Sequence, residues 1–107
     1  MSVSYLIIFT VRADQEARFL SLMNGVLDAM RNEQTFRSAT LHRDPDHPLR
    51  YLLHETWADH GDVLEVQLAR PYRAAWHAAL PELLERDREI SMWQTLRSDA
   101  SSPSLAP

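Results

Sequence analysis

The chain has 107 residues, 45% of them apolar and 24% charged, and a formal net charge of −4. That suits one globular domain with a core of its own, and it leaves no basic footprint for nucleic acid. The lack of cysteine excludes disulfide frameworks, thiolate zinc sites and cysteine nucleophiles. The lack of lysine (all 11 basic residues are Arg) excludes Schiff-base and P-loop chemistry, and two glycines cannot build a phosphate-cradling loop.

Residues 3–12 are rich in Val, Ile, Tyr, Phe and Thr, and the run Tyr5 to Phe9 predicts a strand buried on both faces. No basic flank precedes it and no small-residue cleavage site follows, so it does not read as a signal peptide. No apolar run approaches the roughly 20 residues of a membrane span, so a cytoplasmic protein is expected, with no membrane partner. Asp14 is placed to cap a helix. Ala17, Leu20, Met23, Leu27 and Met30 then recur at helical spacing, to about Asn32. Gly25 inside this helix suggests a close contact, because glycine costs up to ~1 kcal/mol there.

Residues 36–43 alternate loosely as a second strand. The turn chemistry of Asp44-Pro45-Asp46-His47-Pro48 leads into a third strand, residues 50–57, closing a hairpin. Asp59 caps a further helical stretch carrying Val63, Leu64, Val66 and Leu68. Pro71 breaks that stretch and starts the next helix, which runs through Trp76, Leu80 and Leu84 with Pro81 as a kink. Residues 90–97 read as a fourth strand, and residues 98–107 form a Ser/Pro-rich tail.

The order β-α-β-β-α-β is a split βαβ unit: an α+β, ferredoxin-like domain over residues 1–97, with a four-stranded antiparallel sheet and helices on one face. Apolar residues occupy both strand parities, as Leu6 and Ile8 do against Tyr5, Ile7 and Phe9. An open apolar face of that kind predicts a homodimer packed sheet on sheet.

Unusual side chains are densest between His54 and His77. Strand alternation puts Leu53, Glu55 and Trp57 on one face. On the last helix, Arg73 with His77 and Tyr72 with Trp76 are pairs one turn apart, and Gln67 precedes them. Each has a plainly structural reading too. Trp57 and Trp76 suit a core, Glu55 can be a buried partner for an arginine, and Tyr72 can dock its ring with the hydroxyl wet. His42, His47 and His60 lie at turns or strand ends. No metal-ligand spacing and no nucleophile-elbow pattern is present.

The stretch from Arg43 to Leu84 resembles the antibiotic biosynthesis monooxygenase family. Arg43-Asp44 and Pro48 match its turn, Glu55 and Trp57 its strand end, and Pro71 its helix start. The resemblance spans about residues 3–97. It implies a dimeric α+β barrel that needs no cofactor, acting on a small phenol, hydroquinone or polyketide-like aromatic with O2.

The chain departs from the family pattern at several places. Gln67 and Tyr72 stand where many members carry histidines, and Leu53 stands where the polyketide branch has a pocket Asn. His77 lies where a haem-degrading branch carries its iron-ligand histidine and where the polyketide branch carries an arginine. For such a reaction His77 is the candidate base, because the ordinary imidazole pKa of ~6.5 lies near working pH. Gln67, Tyr72 or Arg73 would hold the phenolate, Glu55 would orient a donor, and Trp57, Trp76 and Leu53 would form a stacking wall. Two alternatives stay open: a non-catalytic dimer that binds a small ligand, and a haem-binding or haem-degrading relative through His77.

Overall fold

The computed structural model describes residues 2–101. Its strands are β1 (Val3–Thr10), β2 (Phe36–Arg43), β3 (Arg50–Trp57) and β4 (Glu89–Gln94). Its helices are α1 (Glu16–Met30), α2 (His60–Glu65) and α3 (Ala74–Leu83). The sheet order is β2-β3-β1-β4 and every pairing is antiparallel. This is the ferredoxin-like α+β arrangement that the element order predicts. The tail assigned to residues 98–107 lies outside the described residues from 102 onward.

Alternation sorts the side chains. Val3, Tyr5, Ile7 and Phe9 of β1 and Tyr51, Leu53, Glu55 and Trp57 of β3 are buried on the helix-covered face. Cross-strand partners share a face, so the register builds rows across the sheet. Ala39, Glu55, Tyr5 and Met92 form one, and Leu41, Leu53, Ile7 and Ile90 the next. Further along the strands, Tyr51 pairs with Phe9. There Phe9, Phe19 and Trp76 meet with centroids 5.3–5.7 Å apart, and the Tyr51 ring lies 5.0 Å from Phe19. Aromatic pairs at such separations add to the stabilisation of area burial alone.

Several local expectations change. The buried face of α1 is Phe19, Met23, Val26 and Met30, with Leu20 and Leu27 at its edge and Ala17 exposed. The face is rotated toward Phe19 because that ring completes the aromatic cluster. Asp14 does not cap α1: a 3-10 turn, Ala13–Gln15, leads into it and neither terminus has a side-chain cap. Gly25 is exposed, and a Cβ built there would meet nothing within 4 Å, so no close contact accounts for it. Asp59 does cap α2, accepting from the Asp62 backbone N–H at 2.8 Å. That helix ends at Glu65, and Leu64, Val66 and Leu68 are exposed because no layer lies over them. Pro71 opens the 3-10 turn Pro71–Arg73 that feeds α3. Pro81 lies inside α3 and has no N–H, so the His77 carbonyl receives no i+4 bond.

The uncovered sheet face is mixed rather than apolar. Leu6, Ile8 and Leu52 are half-buried there and Trp93 is 57% exposed. Ser4, Ser38, Thr40, His42, His54, Thr56 and Ser91 share the face by register. The β1 run is therefore buried on one face and half-covered on the other.

Candidate active site

At the end of the sheet away from the aromatic cluster, polar side chains are sealed between strands and helix. Glu55 is 6% exposed and accepts a hydrogen bond from Trp57 Nε1 at 3.2 Å. Trp57 has no exposed surface. Phe36 meets its ring edge-on at 5.4 Å, and the Arg73 guanidinium lies 5.8 Å from its centroid. The same guanidinium is 5.6 Å from the Tyr72 ring, so Arg73 is held between two aromatic faces that attract a cation.

Arg73 is 6% exposed, yet its Nε and Nη2 have no hydrogen-bond partner. Nor do the Tyr72 hydroxyl and Gln67 Oε1. Buried polar atoms without partners are uncommon, since each costs about 1–3 kcal/mol. Gln67 is anchored at its other end, where Nε2 donates to Asp62 Oδ2 at 3.1 Å.

The charges respond to one another. Burial raises the Glu55 carboxyl above its usual range, while Arg73, the Trp57 hydrogen bond and Arg88 pull it back. Burial lowers the half-buried His77 imidazole, and the positive charges of Arg88 and Arg73 lower it further. His77 is therefore mostly neutral near pH 7 and able to accept a proton. Burial raises the Tyr72 phenol, which stays protonated and can donate.

Two features were not apparent in the sequence. The first is Tyr5 with His60: hydroxyl and Nδ1 share a 2.6 Å hydrogen bond, and Tyr5 lies directly across from Glu55. Burial, then Glu55 and Asp59, raise the Tyr5 phenol. Strand parity could have put Tyr5 beside Glu55, but nothing local points to His60. The second is Arg88, a half-buried residue with no hydrogen bond or ion pair among the described residues. It lines a cavity of about 400 Å³ with Leu80, Leu84 and Ile90.

The structure thus gathers Glu55, Trp57, Tyr72, Arg73 and His77, with Gln67 tied in through α2. It separates Trp76, which points into the Phe9–Phe19 cluster, and Leu53, which fills the row between the two ends. Trp57 offers no open ring face, and none of Glu55, Trp57, Tyr72, Arg73 and His77 lines the 400 Å³ cavity, which Arg88 borders. Among the described residues, no three His, Asp or Glu side chains form a possible metal set. No helix among them is long and apolar enough to cross a membrane.

The ferredoxin-like α+β domain is a common scaffold, and the polar, incompletely satisfied cluster between its sheet and helix is the candidate site here. The chain belongs to the antibiotic biosynthesis monooxygenase family, whose model matches residues 3–79. It is 29% identical over 96 residues to a candidate monooxygenase of Pestalotiopsis microspora, covering 89% of this chain and 80% of that one. Among solved structures it is similar to SnoaB, a cofactor-independent oxygenase from Streptomyces nogalater. That match has TM-score 0.77, 25% identity and coverage of 91% and 95% of the two chains. A Mycobacterium tuberculosis protein shares the fold at TM-score 0.83 and 21% identity, over 94% of this chain and all of that one.

Proposed function

We propose that the chain is a cofactor-independent monooxygenase that oxidises a small phenol or hydroquinone, polyketide-like aromatics included, with O2. The observation that carries this reading is the neutral, half-buried His77 beside buried donors that lack partners. Family membership and the likeness to SnoaB support the reaction class.

In this reading His77 takes the phenol proton. The phenolate oxygen is held by the Tyr72 hydroxyl and the Arg73 N–H groups, which offset its charge in a dry site. The electron-rich phenolate gives an electron to O2, and the two radicals combine at a ring carbon. Loss of water then leaves a carbonyl. One oxygen atom enters the product and the other leaves as water, so a phenol gives a quinone and a hydroquinone a hydroxyquinone. The substrate supplies all the electrons, and no metal or flavin is required. Glu55 orients the Trp57 indole, and Trp57 positions Arg73. Gln67 supports the site from α2, with Leu53 and Trp76 behind it.

The proposal includes a homodimer packed through the uncovered sheet face, a small aromatic molecule as partner and a cytoplasmic location. Leu6, Ile8, Leu52 and Trp93 supply apolar surface for such packing. A stable 12.4 kDa monomer in sedimentation at micromolar concentration would remove the dimer.

The test is oxygen uptake by the full chain with 1,4-dihydroxynaphthalene and a chelator present, using isotopically labelled O2. One labelled oxygen per product, well above the uncatalysed rate, is the expected result. Saturable binding without uptake would leave a ligand-binding protein instead.

A further inference from the structure

Arg73 and Arg88 share one nearby carboxylate, Glu55, at electrostatic range and without a salt bridge. Among the described residues neither forms a salt bridge, and the nearby Glu55 spends an oxygen on the Trp57 indole. The two unpartnered Arg73 atoms are Nε and Nη2, which lie on the same edge of the guanidinium. That edge presents two parallel N–H bonds, the fork that matches the two oxygens of a carboxylate. The rings of Trp57 and Tyr72 fix its plane. Arg88 brings a second positive charge from the cavity wall, where Leu80, Leu84 and Ile90 supply apolar surface and Arg12 and Arg86 stand with Glu85 and Asp87.

We propose that the site takes an aromatic substrate bearing a carboxylate, which docks side-on to the Arg73 fork, with Arg88 as a second cation and the ring lying toward the apolar cavity wall. This rests on the oxygenase reading for the fate of the ring, but not for the binding of the acid. Two neighbouring guanidiniums repel each other and lower the proton affinity of His77. A bound carboxylate offsets that repulsion. It also gives each orphaned N–H group an oxygen of its own, where a lone phenolate oxygen would have to serve both.

The probes are 2,5-dihydroxybenzoate, hydroquinone, benzoate and inorganic phosphate, titrated calorimetrically into the full chain. The expected result is that 2,5-dihydroxybenzoate binds at least about tenfold tighter than hydroquinone, the usual worth of a charge-assisted pair. Benzoate should compete with it. Arg73→Gln should abolish the preference, and Arg73→Lys should recover only part of it, because an ammonium has no fork. Arg88→Gln, at a half-exposed position, should reduce the preference without risk to folding. Equal affinity for the acid and for hydroquinone would overturn the proposal, as would a preference indifferent to both arginines. Phosphate competing as well as benzoate would also overturn it, by showing a general anion site. Arg73-dependent binding of 2,5-dihydroxybenzoate with no oxygen uptake from it or from hydroquinone would sink the oxygenase reading and leave this one standing, and benzoate, which cannot be oxidised, reports binding alone. Uptake without any carboxylate preference would do the reverse.

Discussion

Trp76 and His77 are neighbours on one helix, yet they serve two ends of the layer between sheet and helices that obey different rules. At the Phe9–Phe19–Trp76 end Phe9 meets both other rings edge to face, Phe19 and Trp76 are tilted to each other, and Phe9 and Phe19 have no exposed surface. The Tyr51 hydroxyl there is satisfied by donating to Glu16 at 2.6 Å and accepting from Arg43 at 3.0 Å. Four residues along the strands, at the Tyr5–Glu55 row, burial is nearly as deep, but the groups are charged and several are unpaired. The first end contributes stability; the second gives some up. A domain of this size has only about 5–15 kcal/mol in hand, so the unpaired end needs a compensating use.

The sharpest break between the ends is a truncation at the apolar one. Phe19→Ala should cost about 3–5 kcal/mol, as deletion of a fully buried ring does. Chemical denaturation should show this, with turnover per folded molecule close to wild type. A larger loss of turnover than of stability would show that the ends are not separable.

His77→Ala is the opposite case. Turnover should fall by about 10²–10⁴-fold, the usual worth of a positioned acid–base group. The melting temperature should move little, because the imidazole is half-exposed. In the wild type, the acid limb of the rate profile should have its midpoint below the ordinary imidazole value of ~6.5, since burial, Arg88 and Arg73 lower it. An unperturbed midpoint, or unchanged turnover in the variant, would reduce His77 to a structural residue.

Glu55→Gln tests the unpaired end through pH. Burial raises the Glu55 carboxyl, so the folded chain holds that proton more tightly than the unfolded chain. Its contribution to stability is full below the ordinary carboxylate pKa and is lost as pH rises through the raised value. Glutamine cannot ionise, so the variant should lack this decline and melt no lower than wild type at neutral pH. A variant that melts well below wild type there would mean that the arginines gain more from the carboxylate than its burial costs.

The smallest effect lies at neither end. Gly25→Ala, where an added Cβ meets nothing, should stabilise by about 0.5–1 kcal/mol, with turnover unchanged. Thermal melts that show destabilisation would point to a partner on that face of α1.

Local signals determined much of this protein: the order of elements, the turn at Asp44–Pro48, the Asp59 cap, the Pro71 helix start and the inward parity of Leu53, Glu55 and Trp57. Each depends on backbone preference or on a two- or four-residue period, which a chain carries without knowing its fold. The same periods put Arg73 with His77 and so marked much of the candidate site. They could not say that Trp76 turns to the aromatic cluster while Arg73, three residues earlier, turns to Trp57. Nor could they say that the α1 face centres on Phe19, that Tyr5 meets His60, or that Arg88 comes within electrostatic reach of Glu55. Those pairings join residues 16 to 57 positions apart in the chain. They exist because antiparallel registers and the docking of α3 bring the segments together, and the electrostatic state of every group in the site follows from that packing.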